Sequence, residues 1–250
     1  MSTSSLFRRT LQVLLPATLL LTACGKDDKP ADPAPDKGKV LLSHAAAAAN
    51  TPVTAFINDQ QVGQLNFGQS TAYLSTNAGT QALRINSGTQ SVATQVLTIA
   101  KDQNYTVFAY SPAATIGSIA LLQVPDDLTA PPAGQVKVRL VHLAVGAPSP
   151  LRLSVPSPIP GSLGPDITTD VEFTKASAFT NLNAGAFNLS VTTVNTTPRA
   201  ELLAVGDGTG AGTGTKTFEA GKIYTVVVRG ISGGAVPAAQ QPQAIIIQHN

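Results

Sequence analysis

The sequence predicts an all-β protein: two tandem antiparallel β-sandwiches behind an exported leader and a short disordered tether. Three observations carry that reading. Apolar and polar residues alternate with period two in many short runs, helical periodicity is almost absent, and the stretch from Val40 to Gln248 repeats itself once. Alternation marks a strand with one face buried. Short strands at regular spacing, separated by turn residues, pack as a sandwich. A charged fraction of 12% beside a hydrophobic fraction of 43% is too apolar for a disordered chain.

Residues 1–23 have the parts of a secretory signal, with Arg8-Arg9, an apolar stretch from Leu11 to Leu21 interrupted at Pro16, and small residues at the end. The stretch is shorter than the ~20 residues that span a bilayer, which disfavours a single-pass anchor. Leu21-Thr22-Ala23-Cys24 resembles the lipobox of bacterial lipoproteins, and Cys24 is the only cysteine. That resemblance implies a diacylglycerol on Cys24, which becomes the N-terminus and makes the membrane a partner through its lipid. An ordinary cleaved signal would leave a lone thiol open to oxidation in an exported protein.

Residues 24–38 hold the lipidated cysteine and a tether rich in proline and charge. An extended chain of that composition reaches about 40 Å. Its Lys26-Asp27-Asp28 resembles the export signal of Bacteroidota lipoproteins, which implies an outer-membrane lipoprotein displayed at the cell surface. The alternative is a plain polar spacer on a periplasm-facing lipoprotein.

Of the 16 basic side chains, Arg8 and Arg9 precede Cys24, while all 14 acids follow it, so the chain after the leader carries no net side-chain charge. Nucleic-acid binding needs a basic face to displace counterions, and none is visible.

The repeat fixes the domain organisation. Val40-Leu41-Leu42-Ser43-His44 matches Val138-Arg139-Leu140-Val141-His142 at a spacing of 98, and Asn77-Ala78-Gly79 matches Asn183-Ala184-Gly185 at 106. Tyr105-Thr106-Val107 matches Tyr224-Thr225-Val226 at 119. The growing spacing places insertions in the second copy, at residues 156–165 and in the Thr-Gly run 206–214. A period this long makes each copy a domain rather than a solenoid layer. The first spans residues 39–128 and the second 136–250, with a linker at 129–135 around Pro131-Pro132.

Within each copy the elements read as strands. Val136, Val138, Leu140 and His142 share one face, with Lys137 and Arg139 on the other, as in a half-buried strand. Phe187, Leu189 and Val191 alternate likewise, and Tyr224-Thr225-Val226-Val227-Val228 is a β-branched run suited to an inner strand. Asn58-Asp59-Gln60-Gln61, Asn77-Ala78-Gly79 and Ala220-Gly221-Lys222 are turns. The alanine run 45–49 reads as a loop or a single turn. The whole fits two sandwiches of the Ig-like or transthyretin-like kind.

The Val-Arg-Leu-Val-His strand at 138–142, the loop with Ala147-Pro148, the Phe step before Tyr73 or Phe179, the Asn-Ala-Gly turn and the Gly-Lys-x-Tyr-Thr-Val-Val strand at 221–227 together resemble a known family. It is the extracellular β-sandwich family numbered 4397 among the domains of unknown function. The resemblance covers nearly everything from Val40 to Gln248, as two copies, and implies a fold with no chemistry attached. The alanines at 45–49 depart from the family's polar, proline-containing loop, so a shared loop function is in doubt in the first copy.

Candidate site residues are few. His44 and His142 occupy equivalent places, yet neither has a second ligand at metal-binding spacing, and a structural role beside a loop is favoured. His249 lies next to the end of the chain, where fraying is expected. Asp166, Asp170 and Glu172 form the densest acidic group, without the ligand alternation of a calcium loop, and read as solvated charge. Asp207 with glycines 208, 210, 212 and 214 fits no phosphate loop and reads as a flexible hairpin tip. No G-x-S-x-G elbow occurs. With no Trp and only four Tyr, sugar stacking has one fair candidate, Tyr110, because Tyr73, Tyr105 and Tyr224 fall in strands.

The sequence therefore predicts a non-enzyme with no cofactor and no metal, an interaction or structural module on a lipid anchor at Cys24. Its partner is a protein or glycan at the cell surface rather than nucleic acid. The second reading is a lipoprotein that binds a glycan or peptide substrate through loop residues His44, His142, Tyr110, Asp166 and Asp170. An undetected hydrolase ranks third.

Overall fold

The computed structural model describes residues 34–49, 51–159, 162–233 and 236–250. The signal and most of the tether lie outside the described residues. Pro35–Asn250 form one compact unit. Among the described residues the only helical turns are two short 3-10 segments, and no helix is long and apolar enough to cross a membrane.

The first half contains β1 (Lys37–Ala45), β2 (Val53–Ile57), β3 (Gln60–Leu65), β4 (Leu74–Asn77), β5 (Gly79–Ser87), β6 (Gln90–Ile99), β7 (Asn104–Tyr110) and β8 (Ala120–Asp126). They form two four-stranded sheets, in the orders β4-β1-β7-β8 and β3-β2-β5-β6. Alternate residues of β1 fill the space between them, with Val40 and Leu42 packing on Val53, Leu83, Leu97 and Val107. The two-residue β2–β3 turn is Asn58-Asp59, both at positive φ, as a tight hairpin requires. The alanines fulfil the sequence reading: Ala45 closes β1 and Ala47–Ala49 form a buried 3-10 turn.

The second half repeats the plan with interruptions. It contains β9 (Gln135–Val145), β10 (Leu151–Pro156), β11 (Leu163–Asp166), β12 (Lys175–Ala176), β13 (Thr180–Asn183), β14 (Gly185–Phe187), β15 (Ser190–Thr193), β16 (Glu201–Ala204), β17 (Lys216–Phe218), β18 (Ile223–Ile231) and β19 (Gln243–Gln248). One sheet runs β12-β9-β18-β19 with β13 also on β9, a second runs β11-β10-β15-β16, and β14 pairs with β17. The Thr-Gly insertion causes the breaks. The hairpin that is continuous as β5–β6 in the first half appears here as β15–β16 and β14–β17, with residues 205–215 between β16 and β17.

Each half also has one parallel pair, β1 with β7 and β9 with β18, which sequence alternation does not reveal. β1 starts at Lys37, so the last two tether residues already pair with Asn77 and Thr76.

The sheets containing β1 and β9 meet along a seam. Leu41, Ala45, Phe108 and Val124 of the first half pack on Val141, Leu143, Val227, Ile245 and Ile247 of the second. At roughly 1.5–3 kcal/mol for each large apolar side chain fully buried, this third core is comparable in kind to the core within each half. It also corrects the reading of β9 as half-buried. Lys137 and Arg139 are buried, because both faces of the strand are covered.

Candidate functional site

The chemistry-bearing side chains gather at the seam. Towards one end, Arg139 of β9 is 2% exposed and its partner Asp126 of β8 is fully buried. Nη2 donates to Asp126 Oδ1, Nη1 to the Pro125 carbonyl at 2.8 Å, and Nε to Thr225 Oγ1 at 2.9 Å. Asp126 Oδ2 accepts from Tyr73 at 2.6 Å and Thr106 at 2.7 Å. His249 closes the ring, with Nδ1 2.7 Å from the Tyr73 hydroxyl and Nε2 2.7 Å from Thr225 Oγ1. Phe179 lies under the guanidinium at 4.5 Å. Burial holds the Arg139 pKa below its ordinary value against the pull of Asp126, while burial, then Asp126, push the Tyr73 hydroxyl up.

This network satisfies its members and ties the two halves together. It also overturns the expectation that His249 frays, since the ring is buried and bonded on both nitrogens. A cleft of about 860 Å³ opens beside it, lined by Asp126, Asp127, Leu128, Arg139, Ser177 and Phe179 among others.

The equivalent histidines are structural pivots. His44 and His142 are fully buried. Each ring meets a phenylalanine edge-on at 5.8 Å, Phe67 and Phe173 respectively. The backbone follows suit: Gly68 N donates to the His44 carbonyl at 2.7 Å and Thr174 N to the His142 carbonyl at 2.8 Å. His44 Nε2 lies 3.0 Å from the Thr51 carbonyl, whereas His142 Nε2 has no hydrogen-bond partner among the described residues. Burial depresses both, His142 to about 4.

Both phenylalanines reach across the seam. Phe173 meets Tyr110 edge-on at 6.1 Å, and Tyr110 is half-buried beside it. Phe67 instead lies under the guanidinium of Arg229, at 4.0 Å. Arg229 of β18 stands where the first half has Tyr110, at the repeat spacing of 119. Sequence reasoning passed over it. The available signal was a cation at the end of a β-branched run, at a position that is aromatic in the other copy.

The remaining candidates lie apart from the seam. Asp166 bonds Arg152, Arg199 and Ser154, and Asp170 bonds Arg152, so the two acids share one guanidinium on the edge of the β10 sheet. Burial raises the Asp166 pKa, but hydrogen bonds from Ser154 and Arg152, with the charges of Arg199 and Arg152, together outweigh it and the net shift is downward. These carboxylates are partnered rather than merely solvated. Asp207 does not sit on a free tip, since Ile246 N donates to the Gly208 carbonyl at 2.9 Å and Thr209 bridges to Ile245. Among the described residues no three His, Cys, Asp or Glu side chains come together as a metal site. Cys24 lies outside the described residues.

Residues 38–149 match the family described as a domain of unknown function, DUF4397. The match takes in the first half and continues through β9, a little under half of the chain. No curated protein matches. Similar solved structures include a candidate cell adhesion protein from Parabacteroides distasonis ATCC 8503, 8% identical over 85% of this chain and 98% of that one, with a TM-score of 0.25. Another, from Bacteroides eggerthii DSM 20697, is 10% identical over 86% and 96%, with a TM-score of 0.25. A leucine-rich repeat protein from Bacteroides thetaiotaomicron VPI-5482 is 14% identical over 76% and 26%, with a TM-score of 0.19. Likenesses this distant carry no argument about function.

Proposed function

We propose that this chain is a non-catalytic, lipid-anchored protein of the cell envelope, in which two copies of the DUF4397-type sandwich form one interaction or structural module. The observation that carries the reading is where the chemistry-bearing side chains are spent. His249, Asp126, Tyr73 and Arg139 bond one another inside the seam, and Asp166 and Asp170 are taken up by arginines. The matched His–Phe pairs and parallel strand pairs support two copies, since they recur at equivalent positions in both halves. Anchoring rests on Leu21-Thr22-Ala23-Cys24 and on Cys24 being the only cysteine. Loops held by a rigid scaffold are the expected contact surface, facing a protein or glycan at the outer membrane.

Cys24→Ser with lipid labelling, and protease access on whole cells, test this reading. Labelling is expected in the wild type and lost in the variant, and unchanged labelling overturns the anchor. The wild type is expected to be cut on intact cells, and full protection overturns surface display. A second reading, binding of a small ligand, is favoured by one observation, the cation Arg229, which forms no ion pair among the described residues.

A further inference from the structure

Arg229 is 6% exposed, yet it makes none of the ion pairs among the described residues. Its Nε and Nη1 are buried without a hydrogen-bond partner, and its one hydrogen bond is a 3.3 Å contact from Nη2 to Gln243 Oε1. A buried charge is normally paired, because removal from water costs several kcal/mol. An orphaned guanidinium therefore asks for a counter-charge that none of the described residues supplies. Burial lowers its pKa only to about 10, so it stays cationic at neutral pH.

Arg229 lines a groove of about 520 Å³ between the halves. One wall is the segment with Gly68, Ser70 and Thr71, and the other is Gly208-Thr209 of the inserted loop. Gly68 rests directly on the guanidinium, since a Cβ there would lie 2.5 Å from Nη1, and its φ of +91° suits glycine. Two departures from the internal repeat thus meet at one place. Arginine replaces the tyrosine of the first half, and the Thr-Gly insertion, absent from the first half, builds the facing wall along β19.

We propose that this groove binds a small carboxylate-bearing molecule, with Arg229 as its counter-charge and the Thr71 hydroxyl, which accepts from Leu42 N and keeps its own proton free, as a further donor. The guanidinium fork matches a carboxylate in two parallel N–H···O bonds. Binding turns that fork from its dry seat on Phe67 towards the groove. The site is independent of lipid anchoring and of the protein's partner at the surface.

The test is a titration of the ¹⁵N-labelled protein with sodium acetate and with sodium glucuronate, at ionic strength held constant with sodium chloride. Saturable shifts are expected at the Gly68, Ser70 and Thr209 amides and at one arginine Nε–H signal that Arg229→Met removes. Arg229→Met is expected to weaken the midpoint by roughly tenfold or more, the size of a lost charge-assisted pair. Thr209→Val, on the exposed loop, removes a hydroxyl that donates to Asp207 rather than to the groove, and should leave the midpoint within about twofold. Equal midpoints for the two anions mean that the carboxylate alone is read, and tighter glucuronate means that sugar hydroxyls add contacts. Absence of saturation with both anions, or a midpoint unchanged in Arg229→Met, overturns the site.

Discussion

Asp126→Ala is expected to destabilise the protein by about 3–5 kcal/mol, the cost of stranding a buried charge. Arg139 is 2% exposed and would keep only Thr225 and the Pro125 carbonyl as partners. Tyr73 and Thr106 would lose their shared acceptor as well. The destabilisation comes from what is left unpaired rather than from a large net worth of the pair. A double variant, Asp126→Asn with Arg139→Met, leaves no uncompensated charge and should therefore cost less than Asp126→Ala alone. Urea midpoints of the three proteins check this ordering. A loss below about 1 kcal/mol for Asp126→Ala, the range of an exposed pair, would contradict the buried network.

Acidification is the second large effect. In the folded protein burial holds His142 and His249 neutral down to about pH 4, whereas in the unfolded chain they take a proton near 6.5. Below pH 6.5 the unfolded state binds more protons, so stability falls as pH falls, and the loss is complete near pH 4. Each histidine contributes roughly 3 kcal/mol of loss over that window. His44 is depressed for the same reason and acts in the same direction. Urea midpoints at pH 7 and pH 4.5 should differ accordingly, and His249→Gln, which can still bond Tyr73 and Thr225, should flatten the profile by one histidine's share. A profile flat from pH 7 to 4.5 would show that these rings are reached by solvent.

Period-two alternation and turn chemistry made much of the fold legible. Asn58-Asp59 marks its hairpin, Asn77-Ala78-Gly79 separates β4 from β5, and the growing repeat spacing locates both insertions. What alternation cannot reveal is a second buried face. Lys137 and Arg139 read as solvent-facing because a strand pattern says nothing of another sheet packed against it, and that sheet belongs to the other half. Asp126 lies only 13 residues before Arg139, but the pairing depends on the seam. Closeness to the end of the chain suggests fraying at His249, whereas the register of β19 carries it into the network. Arg229 was visible only by laying one copy on the other, where tyrosine becomes arginine at the residue that meets the loop phenylalanine.

The central claim is that two matched sandwiches are locked across the seam into one body that carries the groove between them. Equilibrium urea unfolding of the wild type, followed by NMR at Val107 in the first half and Val226 in the second, tests it most directly. The structure predicts one midpoint and one slope for both residues, moving together in Asp126→Ala. Separate midpoints for the two halves would contradict it.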